Sequence, residues 1–268
     1  MKFPRSLSRL ALLTVVATGL VTTLSAKEPM QLFLLAGQSN MAGRGGLKEL
    51  TPADAAPNPQ VLALNAKGEW QPAVDPLHWD KAGAGVGPGK FFGAAIAAKN
   101  PGVVIGLIPT ACGGSPISTW EPGRSWEQTN SKPWDDSIAR AKLAMKDGTL
   151  KAILWHQGES DSNAKLAPLY EEKLTALIAR FRAELNAPEL PFIIGQLGMF
   201  ESEGKPWSAE RIAVDKAQQA VAEKVPHVYF VSAKGLGSKG DKLHFSTPAQ
   251  KIFAERYVEA YLKSQSAK

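Results

Sequence analysis

The sequence predicts an α/β protein: a parallel sheet with helices on both faces. Two observations predict it. Short apolar runs, at residues 32–36, 103–108, 152–155, 192–195 and 228–231, have the length of buried strands. Between and after them lie longer stretches with helical character, at about 90–99, 135–145, 167–185, 208–223 and 248–263. Strands that alternate with helices are joined by crossovers, which makes the sheet parallel and covers both of its faces.

Each element has a local reason. Residues 32–36 are a continuous apolar run that stops at Gly37-Gln38-Ser39-Asn40-Met41, a turn handing over to a helix. In the stretch 167–185, Leu174, Leu177, Ile178 and Phe181 recur at helical spacing, with Lys173, Arg180 and Arg182 between them. Three segments break the rhythm. Residues 42–89 are rich in Gly and Pro and hold only a short hairpin candidate, 61–65 followed by Gly68-Glu69-Trp70. Residues 109–134 form a long loop carrying Trp120, Trp126 and Trp134, and residues 232–244 contain three glycines. Long loops beside strand ends point to function.

The first residues are of another kind. Lys2, Arg5 and Arg9 precede the apolar run 10–24, and Ser25-Ala26 follows. This is the layout of a secretory signal peptide cut after Ala26, leaving one domain over 27–268 and a secreted or periplasmic product. No other segment is long and apolar enough to span a bilayer. The chain of 268 residues carries 31 Lys and Arg against 25 Asp and Glu, a net charge of +6. Loss of the three basic leader residues brings the mature chain near +3, with no long basic cluster to suggest nucleic acid. Cys112 is the only cysteine, so no internal disulfide forms and stability must come from the core.

The chemistry centres on Ser39. A serine at the carboxyl end of an early strand lies where α/β sheets carry their sites, but its hydroxyl needs a base to become a nucleophile. His244 lies in Asp241-Lys242-Leu243-His244, where one loop can bring the Asp241 carboxylate to the imidazole. That carboxylate would fix the tautomer and stabilise the imidazolium formed when Ser39 loses its proton. Acyl transfer also needs donors aimed at the oxyanion. Cys112-Gly113-Gly114-Ser115 follows the second strand and offers close backbone N–H groups, and Gln157 in His156-Gln157-Gly158-Glu159-Ser160-Asp161 offers a side-chain amide. Arg44 is either a substrate contact or a surface residue. Asn40 either caps the helix after Ser39 or ties the catalytic loops together. No metal-ligand spacing such as His-Glu-x-x-His occurs, and no cofactor is expected.

These four motifs, in this order, resemble the SGNH (GDSL-like) hydrolases, and within them the sialate O-acetylesterase and acetyl xylan esterase branch. The resemblance spans almost the whole mature chain. It implies a three-layer α/β/α sandwich, flavodoxin-like, with a five-stranded parallel sheet. It implies Ser39 as nucleophile, His244 as general base and Asp241 as its orienting acid. The Ser39 and Gly113 N–H groups and the Gln157 amide would form the oxyanion hole, with Gly113 favoured over Gly114. In this branch the glutamate at position 159 can approach the catalytic histidine, so Glu159 could share or replace the role of Asp241, the expected main partner. The implied activity is removal of O-acetyl groups from an acetylated glycan or small sugar ester, with no cofactor. Trp79, Trp120, Trp126 and Trp207, in expected loops, are candidates to stack on sugar rings. The alternatives are a lipase or thioesterase of the same fold, a non-catalytic glycan-binding module, and a glycoside hydrolase using Glu159 and Asp161. The last is disfavoured, since residues two apart are poorly placed to flank a glycosidic bond.

Overall fold

The computed structural model describes Met1, residues 29–200 and residues 207–266. The expected signal peptide, apart from Met1, lies outside the described residues. In chain order the strands are β1 (Met30–Gly37), β2 (Val61–Leu64), β3 (Trp70–Pro72), β4 (Ile105–Pro109), β5 (Gly148–His156), β6 (Phe192–Gly195) and β7 (Val228–Val231). The helices are α1 (Ser39–Ala42), α2 (Pro52–Ala55), α3 (Pro88–Lys99), α4 (Pro133–Ala144), α5 (Tyr170–Glu184), α6 (Ala209–Lys224) and α7 (Thr247–Ser266).

The sheet has seven strands in the order β3-β2-β4-β1-β5-β6-β7, and every neighbouring pair is parallel except β2 with β3. The expectation of five strands is therefore corrected. The hairpin in 61–72 is not surface decoration: β2 pairs in parallel with β4, Val61 opposite Ile105 and Ala63 opposite Leu107. Val61, Ala63 and Leu64 are buried on that edge, which explains why the hairpin docks. β5 also begins earlier than expected, at Gly148, with an irregularity where Leu32 faces Leu150 but Phe33 faces Ala152.

β1 shows why the sheet is a middle layer. Leu32, Leu34 and Ala36 pack on one side with Ile138 of α4, Leu174, Ile178 and Phe181 of α5, and Val214 and Val221 of α6. Phe33 and Leu35 pack on the other with Phe92 and Ile96 of α3 and Phe253, Tyr257 and Tyr261 of α7. Successive side chains point to opposite faces, so a strand covered on both sides must be apolar throughout. Each such fully buried side chain contributes about 1.5–3 kcal/mol relative to exposure. Among the described residues no helix is long and apolar enough to cross a membrane.

Candidate active site

Ser39 stands where β1 ends. Gly37 has φ +120°, and a Cβ there would fall 2.2 Å from the His156 carbonyl oxygen of β5, so the turn into α1 requires glycine. The turn leaves Ser39 only 7% exposed at the first position of α1. His244 arrives from the loop before α7, and its Nε2 lies 3.0 Å from Ser39 Oγ. Its Nδ1 lies 2.7 Å from Asp241 Oδ2. Asp241 Oδ1 accepts the backbone N–H groups of His244 and Leu243 at 2.8 and 3.0 Å, so one carboxylate holds both the loop and the ring. Burial pushes the Asp241 carboxyl up, but these backbone and ring bonds outweigh it and hold it well below the usual range, ionised at neutral pH.

Glu159 is placed elsewhere. Its Oε1 accepts from Asn40 Nδ2 at 2.6 Å and lies 3.6 Å from His156 Nε2, not beside His244. Burial alone would raise its carboxyl, but the contacts with His156 and Asn40 prevail and hold it at about 2. Asn40 donates to the Leu243 carbonyl at 3.1 Å and accepts from the Phe245 N–H at 3.2 Å. Of its two expected roles, it ties the loops together; α1 has no side-chain cap.

Gln157 is held by protein partners in the free site. It is fully buried, its Nε2 donates to Ser115 O, Gln38 Oε1 and Asp161 Oδ2, and its Oε1 accepts from the Tyr170 hydroxyl. In the free site its two N–H groups are shared among three protein acceptors. The Gly113 N–H is also engaged, donating to Asp80 Oδ2 at 2.8 Å. Asp80 in turn takes Arg44 Nη2 at 2.6 Å, in a pair whose side chains are 8% and 3% exposed. Arg44 is therefore neither a surface residue nor a free substrate contact. Gly114, with φ +80°, accepts the Ser160 hydroxyl on its carbonyl at 2.8 Å.

The sequence matches the family described as "Carbohydrate esterase, sialic acid-specific acetylesterase" over residues 29–263. The chain belongs to this family of carbohydrate O-acetylesterases. An Arabidopsis thaliana protein described as "Probable carbohydrate esterase" is 36% identical over 255 residues, covering 88% of this chain and 92% of its own. The crystal structure of that plant protein superposes with a TM-score of 0.76, covering 88% of this chain and 98% of that one. Human sialate O-acetylesterase is 29% identical over 187 residues, which span 56% of this chain and 35% of the human one. The fold is shared with a carbohydrate acetylesterase from Xanthomonas citri, at 23% identity and a TM-score of 0.68, covering 89% of this chain and 57% of that one.

In this esterase the aromatic candidates divide. Trp120 is fully buried, edge-on to Trp155 at 4.9 Å, and belongs to the core. Trp126 is half-buried and donates its Nε1–H to the Gly113 carbonyl at 3.1 Å. Trp79, next to Asp80, is 49% exposed under the Arg140 guanidinium. Trp207 is half-buried under Arg211. Cys112 is buried, and burial pushes its thiol up to about 11, so it stays protonated and unreactive. Among the described residues no three His, Cys, Asp or Glu side chains gather as a metal-holding group. A cavity of about 810 Å³ runs along Val228–Val231 of β7 and is not lined by Ser39, Asp241 or His244.

Sequence reasoning missed Gln38 and Asp80. Gln38 is 3% exposed, and its Oε1 accepts from Gln157 Nε2 and from the backbone N–H groups of Gly158 and Ser160, so it organises the turn after β5. Its place in the same motif as Ser39 was the available signal. Asp80 had none beyond a position in a long loop.

Proposed function

We propose that this esterase is exported and removes O-acetyl groups from carbohydrates through a Ser39–His244–Asp241 acyl-enzyme mechanism. The observation that carries the reading is the unbroken relay from Ser39 Oγ to His244 Nε2 at 3.0 Å and from Nδ1 to Asp241 Oδ2 at 2.7 Å. Both separations are hydrogen-bonding distances, as general-base activation of a serine requires.

Ser39 Oγ attacks the acetyl carbonyl carbon while its proton passes to His244 Nε2. Asp241 keeps Nδ1 protonated and balances the imidazolium. The tetrahedral oxyanion meets the backbone N–H of Ser39, which as the first residue of α1 has no intrahelical acceptor. It also takes over the Gly113 N–H from Asp80. A carboxylate oxygen on that N–H in the free site supports the assignment, because a donor that holds one anionic oxygen is suited to another. His244 then gives its proton to the departing sugar oxygen. A water deprotonated by His244 attacks the acetyl-Ser39 ester, releasing acetate and restoring the hydroxyl.

The carbohydrate class rests on family membership and on Trp126, a half-buried ring bonded to the Gly113 carbonyl, of the kind on which a sugar ring can stack. Export rests on the arrangement of residues 1–26. The test is acetate release from acetylated xylan, O-acetyl sialosides and acetylated monosaccharides, with Ser39→Ala and His244→Ala as controls. Near-wild-type turnover by Ser39→Ala would overturn the mechanism. Activity on p-nitrophenyl esters that peaks beyond six acyl carbons would overturn the acetyl assignment in favour of a lipase or thioesterase.

A further inference from the structure

The residue after the nucleophile carries more than its place in the chain requires. Asn40 is 1% exposed, and every polar atom of its side chain is engaged. Nδ2 donates to Glu159 Oε1 at 2.6 Å and to the Leu243 carbonyl at 3.1 Å, and Oδ1 accepts the Phe245 N–H at 3.2 Å. Leu243 and Phe245 are the two neighbours of His244. One amide, attached to the backbone next to Ser39, therefore grips the chain on both sides of the histidine. Its own carbonyl is held from α7 by Gln250 Nε2 at 3.1 Å, and Gln250 is fully buried.

We infer that Asn40 is the positioning residue that sets the separation of Ser39 Oγ and His244 Nε2, with Glu159 as the anchor that fixes its amide. An amide can be turned about its last bond to exchange oxygen and nitrogen. Here only one orientation works: Leu243 offers an acceptor and Phe245 a donor, and the Glu159 carboxylate, an acceptor only, demands the nitrogen on its side. Asp241 holds the ring from within the same loop. Asn40 ties that loop to the short helix α1 that carries the nucleophile. Phe245 is fully buried, edge-on to His156 at 5.6 Å, so the two ends of the clamp, Glu159 and Phe245, both lie against His156.

The inference rests on the reading of Ser39 and His244 as nucleophile and base, and its test separates the two. Wild type, Asn40→Ala, Asn40→Asp and Glu159→Gln are compared by steady-state kinetics on an acetyl ester and by the second-order rate of Ser39 labelling with a fluorophosphonate, which reports nucleophile activation without a sugar site. Misplacement of a catalytic group by about 1 Å costs on the order of 10² in rate. Asn40→Ala is expected to lose about that factor in kcat and in labelling, with KM changed less than about threefold. Asn40→Asp keeps the acceptor for Phe245 but loses both donors and faces the Glu159 carboxylate, so it is expected to lose at least as much. Glu159→Gln keeps an oxygen for Asn40 and is expected to lose less than about tenfold. A folded Asn40→Ala or Asn40→Asp enzyme that labels and turns over within threefold of wild type overturns the inference. So does a loss confined to KM. Should Asn40→Ala not fold, the Asn40→Asp labelling rate decides. If wild type itself resists the fluorophosphonate, the nucleophile assignment falls first, and the inference with it.

Discussion

Replacing Asp241 by Asn tests which acid serves His244. The change removes the charge while keeping the shape. Asp241 Oδ2 lies 2.7 Å from His244 Nδ1, so the centres of the carboxylate and the developing imidazolium are about 4 Å apart. At that distance two unit charges attract by about 1 kcal/mol in water and about 4 kcal/mol at an effective dielectric constant near 20. The Asp241 side chain is 36% exposed and that of His244 16%, which puts the pair between these limits. Lost from the transition state alone, about 1–4 kcal/mol corresponds to a fall in kcat of about 5- to 1,000-fold. An Asn whose nitrogen turns toward Nδ1 would also favour the wrong tautomer, which moves the expectation to the upper part of that range. Single-turnover deacetylation followed at saturating substrate isolates this loss from binding. Glu159→Gln, measured alongside, is expected to lose less, because Glu159 contacts Asn40 and His156 rather than His244. If Asp241→Asn stays within threefold of wild type, or if Glu159→Gln is ten times more damaging, the assignment of the acid is refuted.

Other expectations concern stability. Both oxygens of Asp75 are out of solvent without a partner, and burial, opposed by nearby Lys90, pushes its carboxyl up to about 6. A carboxyl raised above its unfolded value gives stability at low pH that is lost as pH rises through about 6. Asp75→Asn is therefore expected to raise stability at pH 7 by about 1–3 kcal/mol and to give no gain at pH 4, read from urea unfolding at both values; no gain at pH 7 would count against it. His78 is buried with neither ring nitrogen partnered, and burial pulls it down to about 4, so its neutral form is favoured on folding and stability is lost as pH falls from about 6.5 toward 4. In wild type the two slopes oppose one another; in Asp75→Asn the opposing slope is gone, so stability should fall more steeply than in wild type as pH drops from about 6.5 toward 4, and a profile no steeper than wild type would refute it. Asp80→Ala leaves the buried Arg44 guanidinium without its counter-charge and is expected to cost about 3–5 kcal/mol, measured by thermal or chemical unfolding. Gly37→Ala places a Cβ against the β5 backbone at a positive φ and is expected to abolish soluble folded protein, checked by expression and circular dichroism.

Much of the molecule was legible in the sequence because the information was local. The apolar runs at β1, β4, β5, β6 and β7 and the helical spacing of Leu174, Leu177, Ile178 and Phe181 declare elements that depend on their own residues and on burial at a known period. The family motifs around Ser39 and His244 likewise announced which residues to bring together, and Asp241, three residues before His244, meets it through a turn of its own loop. What only the tertiary structure decided was each pairing between distant segments. The hairpin 61–72 became two strands because Val61 and Ala63 found β4, and a strand's partner is not written in its own pattern. Gln157 was read as a donor to substrate because its type fits. A buried amide must satisfy its hydrogen-bonding groups wherever it lies, and in the free site the acceptors that claim it come from Gln38, Ser115 and Asp161. Glu159 went to Asn40 for the same reason, and Asp80, with no motif around it, came to Gly113 only when Arg44 needed a counter-charge in the interior. The sequence determined which groups the chemistry could use; three-dimensional packing, through the rule that buried polar groups must be paired, decided which partners hold them in the free site.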